Sequence, residues 1–488
     1  MTEEECICAL ATPAGGAIGV IRLSGSQAIE ITDKVFTAAN GKSLAKAKPN
    51  TIHYGEIKDK HGHTIDDVLV SVFRAPHSYT GEDSTEISCH GSRYILQQVL
   101  QALVQAGCRH AQPGEYTRRA YMNGKMDLSQ AEAVADLIAS TNKATHDMAM
   151  SQLKGHFSSE LSKLREKLLK MNSLLELELD FSDHEELEFA DRSELKQLAE
   201  QIEKKVTTLA HSFETGNALK QGIPVAIVGK TNAGKSTLLN RLLNEDKAIV
   251  SDIHGTTRDV IEDTTDIDGI TFRFIDTAGL RQTNDVVERM GIERTYQKME
   301  EAKILIYVID GSTEDDAQID QDLEDMMETL MSTPCSKIIL AFNKFDNIEE
   351  YENGISEEMQ NFLQLTNQFK AFQSQCSGMP MKDMAVVPMS AKLGYNMDGL
   401  KKALVDFADV PEVTENDVII TSVRHYEALT RANESLQRVL ESMDAGMSGD
   451  LIAEDLKMVL EALGEITGGQ ISSQETLNNI FKHFCIGK

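Results

Sequence analysis

Gly229-Lys230-Thr231-Asn232-Ala233-Gly234-Lys235-Ser236 follows the apolar run Val225-Ala226-Ile227-Val228 and leads into Thr237-Leu238-Leu239-Asn240-Arg241-Leu242-Leu243. Apolar strand, glycine-bearing loop, then helix is the setting in which a Gly-x-x-x-x-Gly-Lys-Ser run cradles the phosphates of a nucleotide. The glycines let backbone N–H groups turn inward on phosphate oxygens. Lys235 reaches the outer phosphates as a point charge, and the Ser236 hydroxyl is placed to ligate Mg²⁺. Asn232, Ala233, Gly234, Lys235, Ser236 and Thr237 are the first candidate nucleotide contacts.

Four further signals stand downstream in the order a GTP-hydrolysing domain needs. Ser251-Asp252-Ile253-His254-Gly255-Thr256-Thr257 offers Thr257 as a second Mg²⁺ ligand in a loop. The alternating strand Ile270 to Ile275 delivers Asp276-Thr277-Ala278-Gly279, where Asp276 can hold a metal-bound water and the Gly279 N–H can sense a γ-phosphate. The apolar strand Lys337 to Phe342 runs into Asn343-Lys344-Phe345-Asp346. Asp346 can accept from the ring N–H and exocyclic amine of guanine, a donor pair that adenine lacks, so adenine would leave a buried carboxylate unpaired. Val386-Val387-Pro388-Met389 then leads to Ser390-Ala391-Lys392, whose backbone can cover the guanine edge. Five motifs in sequence order, each behind a strand, imply a Ras-like P-loop GTPase domain rather than an ATPase.

The chain has 488 residues, 41% of them hydrophobic, enough for several cores. The acidic start Met1-Thr2-Glu3-Glu4-Glu5 and the absence of a long apolar run point to a cytoplasmic protein without a membrane segment. The seven cysteines include no Cys-x-x-Cys pair, so neither a disulfide framework nor a zinc site is indicated. The formal charge is −29. Residues 1–125 carry equal numbers of basic and acidic side chains, so all of that charge lies beyond them. Screening over a Debye length of roughly 8 Å leaves room for a local basic patch, and net charge does not decide whether RNA is a partner.

Around the GTPase stretch the chain changes character twice. Residues 1–120 read as a small mixed α+β domain: a Gly-rich turn and strand from Ala11 to Gly25, strands near 51–57 and 68–73, and a helix from Tyr94 to Ala106. Two segments are unusually polar for such a domain, Ser78-Tyr79-Thr80-Gly81-Glu82-Asp83 and Pro113 to Ala120 continuing into Asn123-Gly124-Lys125-Met126-Asp127-Leu128. Spacing alone leaves open whether Glu82 and Lys125 are solvated or line a site. Residues 121–217 have helical periodicity (Leu161, Leu164, Leu168, Met171, Leu175), and it returns in residues 411–488 after the nucleotide domain at 218–410. A single helical domain with the GTPase inserted into it is expected. The carboxylates from Glu176 to Glu188 read as a solvated helix end or linker rather than a metal cluster, and residues 347–384 as extra surface helix. The chain stops at Cys485-Ile486-Gly487-Lys488, where a thiol beside a lysine is either an inert tail or a nucleophile of lowered pKa.

The GTPase motifs, Thr12-Pro13-Ala14-Gly15, Tyr79-Thr80-Gly81-Glu82-Asp83, Asn123 to Leu128 and the terminal Cys-Ile-Gly-Lys together resemble the tRNA-modification GTPases of the MnmE (TrmE) family over essentially the whole chain. The resemblance implies a folate-binding-like amino-terminal domain that mediates homodimerisation. It also implies a role, with an FAD-binding partner, GidA (MnmG), in adding an aminomethyl or carboxymethylaminomethyl group to carbon 5 of the wobble uridine of certain tRNAs. By motif, Arg22, Glu82, Lys125 and Lys488 would hold a 5-formyl- or 5,10-methylene-tetrahydrofolate, with Cys485 brought to the same pocket. Leu280 stands where Ras-like enzymes carry a water-orienting Gln, and Glu288 matches the family's water-positioning carboxylate. Asn232, Ser251, Ile253 and Thr256 match positions that hold K⁺ near the phosphates. Lys235, Glu288 and Cys485 are thus the catalytic candidates. The competing reading is a ribosome-assembly or other RNA-binding switch GTPase without transfer chemistry; it explains the GTPase motifs equally well but leaves the two chain ends unused.

Overall fold

The computed structural model describes residues 5–180, 192–230, 232–246, 263–275, 302–312, 337–346, 383–410 and 417–469, together with 477, 480–482, 484 and 487. These residues separate into two compact units. The first comprises Met1–Ser140, Met148–His211 and Glu415–Lys488; the second comprises Thr141–Asp147 and Ser212–Thr414.

The first unit opens with β1 (Ile7–Leu10), β2 (Ile18–Ser24), α1 (Ala28–Val35), β3 (Phe36–Ala38), β4 (Thr51–Lys58), β5 (Thr64–Phe73), β6 (Ser84–His90), α2 (Arg93–Ala106), β7 (Arg109–His110) and α3 (Glu115–Met122). The strands form one sheet in the order β3-β4-β5-β6-β2-β1-β7. All neighbours are antiparallel except β1 and β7. Alternation decides which side of the sheet is core. Ile21, Leu23, Val68, Val70, Val72 and Ile87 are fully or almost fully buried with Leu96, Val99 and Leu103 of α2, while the residues between them face the other way. On that other face the register places Arg22, Glu86, Ser71 and Ile52 side by side across four strands.

The helical part follows as α4 (Leu128–Ala139), α5 (Lys143–Leu153), α6 (His156–Asp180) and α7 (Arg192–Gln221), and resumes with α10 (Val423–Asp444) and α11 (Gly449–Thr467) after the second unit. Asp127 begins α4 with a capping box: its carboxylate accepts from the Gln130 N–H and the Gln130 side chain accepts from the Asp127 N–H. The two sequence halves meet at a charged junction. The Arg424 guanidinium of α10 donates to both oxygens of Glu132 on α4, at 2.9 Å each. It also donates to the Glu465 carbonyl at 2.7 Å and the Ile466 carbonyl at 3.0 Å, satisfying the carboxyl end of α11. His425 Nε2 lies 2.6 Å from the same carboxylate. Burial would push the Glu132 carboxyl up, but His425 and Arg424 together hold it at about 2. Residues almost three hundred positions apart are thus joined by paired charges, which is how an inserted domain leaves its host continuous.

In the second unit, β8 (Ile223–Val228), α8 (Lys235–Asp246), β9 (Asp263–Ile267), β10 (Ile270–Ile275), β11 (Ile304–Asp310), β12 (Lys337–Asn343), β13 (Asp383–Pro388) and α9 (Met397–Ala408) follow in sequence. The sheet order is β13-β12-β11-β8-β10-β9, parallel but for the β9–β10 hairpin. Its central strands are buried along nearly their whole length, as strands covered on both faces must be. The architecture is therefore the expected one, a multidomain α/β chain with an α+β amino-terminal layer, a helical part and an inserted Ras-like P-loop domain.

Candidate functional sites

The nucleotide-binding candidates cluster at the carboxyl ends of β8, β11, β12 and β13, where an open parallel sheet of this kind presents its ligand crevice. The phosphate loop leaves β8 and ends on the first turn of α8, so the positive end of the helix dipole faces it. Lys235 Nζ donates to the carbonyls of Gly229 at 2.7 Å and Lys230 at 2.6 Å, folding the lysine over its own loop. Asn232 takes a left-handed conformation, φ 66°, and is exposed with Ser236 and Thr237, whereas Ala233 is buried.

Asn343 does more than precede the base-reading residues. Its side chain is buried, donates from Nδ2 to the Ala233 carbonyl at 2.8 Å, and accepts at Oδ1 from the Ala391 N–H at 2.9 Å. One amide thereby ties the phosphate loop, the Asn-Lys-x-Asp loop and the Ser-Ala-Lys loop together. The contact also explains the second glycine of the phosphate loop. A Cβ on Gly234 would lie 2.1 Å from Asn343 Nδ2, and Gly234 has φ +99°.

Asp346 is oriented from two sides, by the Ser390 hydroxyl at 2.6 Å and by Lys392 Nζ at 3.9 Å. Lys344, at φ 73°, pairs with Asp310 at the end of β11. Burial raises the Asp310 carboxyl, and donors from Lys344 and Ser312 outweigh it and hold the group below its usual range. Asp310 was not a sequence candidate; its place as the last residue of the strand that ends opposite Asn343 is the signal that identifies it.

A second constellation lies on the outer face of the seven-stranded sheet, around the loop Ser78–Glu82. Arg22 of β2 pairs with Glu86 of β6 at 2.7 Å, and its guanidinium stands 5.5 Å from the Tyr79 ring centre and 5.8 Å from that of Tyr116. Glu82 accepts from the buried Ser24 hydroxyl at 2.7 Å and from Arg119 Nη1 at 3.2 and 3.1 Å. Lys125 Nζ donates to the Pro76 carbonyl at 2.9 Å, and its Cγ and Cδ lie 3.4 Å from where a Cβ on Gly81 would stand. Asn123 Nδ2 donates to the Thr80 carbonyl at 2.7 Å, clasping the loop to the turn that carries Lys125. Arg22, Glu82 and Lys125, 103 positions apart in sequence at the extremes, thus border one short loop.

The carboxyl-terminal tail reaches the same layer. Phe481 and Phe484, with ring centres 5.1 Å apart, pack against Gly114 at the start of α3. Gly487 meets β1: a Cβ there would be 2.0 Å from the Leu10 carbonyl oxygen, so only glycine fits. Cys485 and Lys488 lie outside the described residues, as do Ser251, Asp252, Ile253, His254, Gly255, Thr256, Thr257, Asp276, Thr277, Ala278, Gly279 and Glu288, most of the 347–384 segment and most of the Glu176–Glu188 run. No described helix is long and apolar enough to cross a membrane. Cys6, Cys8, Cys89 and Cys108 are free, buried thiols.

Comparison with known proteins agrees with this arrangement at both ends of the chain. A family model described as the MnmE helical domain matches residues 128–485, and one described as the GTP-binding protein TrmE N-terminus matches residues 6–125. The tRNA modification GTPase MnmE of Bacteroides fragilis is 55% identical over 487 residues, and that of Bacteroides thetaiotaomicron 54% over 487 residues, each match covering 100% of both chains. The protein of the same name from Phocaeicola vulgatus is 53% identical over 522 aligned positions, again covering 100% of both. Among solved structures, Aquifex aeolicus Era bound to GDP and aluminium fluoride aligns with 43% of this chain and 66% of its own, at 27% identity and a TM-score of 0.26, an overlay too partial to bear on the fold. With full-length identity above half and both family models in place, the chain belongs to the MnmE family of tRNA modification GTPases.

Proposed function

We propose that the chain hydrolyses GTP in its inserted domain and, with an FAD-binding partner of the GidA (MnmG) kind, adds an aminomethyl or carboxymethylaminomethyl group to carbon 5 of the wobble uridine of tRNA, drawing the carbon from a tetrahydrofolate. The observation that carries the reading is the gathering of Arg22, Glu82 and Lys125 around the Ser78–Glu82 loop. A switch GTPase has no use for it.

In the nucleotide site, Asp346 accepts the guanine N–H pair in the orientation set by Ser390 and Lys392. Asn343 transmits the position of the base loop to the phosphate loop. Lys235 exchanges the two loop carbonyls for phosphate oxygens when nucleotide enters. Glu288 orients the attacking water, since Leu280 cannot. The exposed Ser236 hydroxyl and Asn232 amide are oxygen donors of the kind hard cations take. Mg²⁺ would be held by Ser236 and Thr257, and K⁺ by Asn232, Ser251, Ile253 and Thr256. Such cations supply positive charge where negative charge develops on the phosphates.

In the one-carbon site, the Glu82 carboxylate accepts the N–H edge of a pterin, and Arg22 and Lys125 bind the anionic glutamate tail. Gly487 lies against Leu10 of β1, the strand paired with the one that carries Arg22; Cys485 and Lys488 join the pocket in this reading by family resemblance alone. A homodimer fits the same face. Ile18, Ile52, Tyr54 and Leu69 are 66%, 66%, 57% and 46% exposed there, on the face that holds Arg22 and in its own or neighbouring register rows. Such a pairing would be between copies of this chain, in a cytoplasmic assembly with tRNA and the flavin partner.

Calorimetric titration with 5-formyltetrahydrofolate tests the reading. Binding that Arg22→Ala abolishes, and that a form ending at Phe484 weakens, is expected. Absence of binding by folded protein would return the amino-terminal domain to a plain dimerisation or RNA-binding module.

A further inference from the structure

The polar run Glu115-Tyr116-Thr117-Arg118-Arg119 belongs to neither candidate list, yet α3 touches every described member of the one-carbon set. The Tyr116 hydroxyl donates to the Arg22 carbonyl at 2.7 Å while its ring lies beside the Arg22 guanidinium. Thr117 Oγ1 is 2.9 Å from the hydroxyl of Tyr79, the other ring beside Arg22. The helix then turns at Asn123–Gly124 into Lys125, whose N–H donates to the Ala120 carbonyl at 2.9 Å.

Within this helix Arg119 is the unusual residue, a guanidinium only 8% exposed between two carboxylates. Nη2 is anchored, donating to Glu115 Oε1 at 3.0 Å and to the Glu5 carbonyl at 2.9 Å. Nη1 is turned to Glu82. Glu115 does not need Arg119 for its own satisfaction, because Arg109 already donates to both its oxygens at 2.7 and 3.1 Å and the Gln112 N–H adds a third bond at 2.8 Å. Burial opposes that carboxylate, and the Arg109, Gln112 and Arg119 donors hold it at about 2. The anchored half of the guanidinium is therefore fixed by a permanent anion, and the rigid planar fork transmits that fixity to the half that faces Glu82.

We infer that Arg119 is the positioning residue for Glu82, holding its carboxylate turned to receive the pterin edge, with Glu115 and Arg109 as the anchor behind it. The inference rests on the one-carbon reading of the pocket. Ser24, hydrogen-bonded to Glu82 at 2.7 Å and within 2.6 Å of Thr80 Oγ1, completes the support from the strand side. Without Arg119 the carboxylate keeps a single hydroxyl donor among the described residues and loses the charge that faces it.

The test is a double-mutant cycle read by calorimetric titration with 5-formyltetrahydrofolate on the full chain, using wild type, Arg119→Met, Glu82→Gln and the double variant. A charge-assisted hydrogen bond to the ligand-reading carboxylate predicts that Arg119→Met weakens binding by about tenfold to a hundredfold. In the Glu82→Gln background the same substitution should weaken it by less than about threefold, because the two residues act as one unit. Arg119→Lys, which restores the charge, should recover part of the loss. Independent, multiplying effects of the two substitutions, or no rescue by lysine, would overturn the inference and leave Arg119 a structural residue. Should Arg119→Met fail to fold, Arg119→Lys closes the same cycle with Glu82→Gln. Failure of the wild-type chain to bind the folate would instead overturn the one-carbon reading itself; binding by wild type that is indifferent to Arg119 would overturn this inference alone.

Discussion

The junction of Glu132, Arg424 and His425 gives a sharp test of how the helical part is held across the insertion. Glu132→Gln keeps the shape of the side chain and removes its charge, leaving Arg424 and His425 facing an amide. A carboxyl held at about 2 where 4.5 is ordinary corresponds to about 3 kcal/mol of stability at neutral pH, at about 1.4 kcal/mol per unit. Breaking a buried pair from one side costs a similar amount, roughly 3–5 kcal/mol. Because the folded-state value is depressed, the stabilisation is complete above about pH 4.5 and is lost as pH falls toward 2. Thermal melting followed by far-UV circular dichroism resolves the effect. The transition of the first unit is the one that added GDP does not raise, since ligand stabilises the unit that binds it. For a unit of this size the variant should melt roughly 5–12 °C lower at pH 7, with the gap to wild type narrowing between pH 4.5 and pH 3. An unchanged transition at pH 7, or a gap that does not depend on pH, would show that the junction is not an ionised cluster.

Four other outcomes are expected. Gly234→Ala places a methyl 2.1 Å from Asn343 Nδ2 and should weaken binding of a fluorescent GDP analogue by at least about tenfold, given the loss of a buried hydrogen bond plus strain at a left-handed position; wild-type affinity would remove Asn343 from its linking role. Asp346→Asn should lower guanine-nucleotide affinity by about a hundredfold and raise that for xanthine nucleotides, in which the ring N–H stays and a carbonyl acceptor replaces the exocyclic amine, matching the acceptor and donor of an amide; equal loss of both would mean that Asp346 only supports the loop. GTP turnover should be faster in K⁺ than in Na⁺ at equal ionic strength, and equal rates would sink the cation assignment of Asn232. Glu288→Ala should lose hydrolysis, by about a hundredfold or more as for other positioned bases, while GTP still binds; loss of binding would make Glu288 structural.

What the sequence disclosed and what it withheld divide along a physical line. The strand Ile223–Val228, the loop after it and the helix from Lys235 were legible because each is set by neighbours within a few residues. So were α2, expected from Tyr94 and found from Arg93, and the paired helices that end at Asp444 and begin again at Gly449 across the glycine-bearing break. Side-chain partners at long separation were not. Nothing in the local pattern says that Asn343 accepts from Ala391 and donates to Ala233, that Arg119 lies between Glu82 and Glu115, or that Arg424 completes Glu132. The polar run from Pro113 to Leu128 was conspicuous, but its spacing does not separate a solvated loop from a site. The structure supplies the reason for its composition: Glu115 and Arg119 are buried charges, Asp127 caps a helix, and Lys125 stands between them. The family resemblance supplied roles for Arg22, Glu82 and Lys125; their shared border on one loop is a property of the fold.

The most direct measurement is nucleoside mass spectrometry of tRNA lacking the wobble modification, incubated with the chain, its flavin partner, GTP, K⁺, a methylene-tetrahydrofolate and an amine, ammonium for the aminomethyl product or glycine for the carboxymethylaminomethyl one. Appearance of a 5-aminomethyl or 5-carboxymethylaminomethyl uridine, lost with Arg22→Ala and with Glu288→Ala, is the predicted result. Unmodified wobble uridine in a reaction where GTP is nonetheless consumed at full rate would contradict the proposal and leave a GTPase switch in its place.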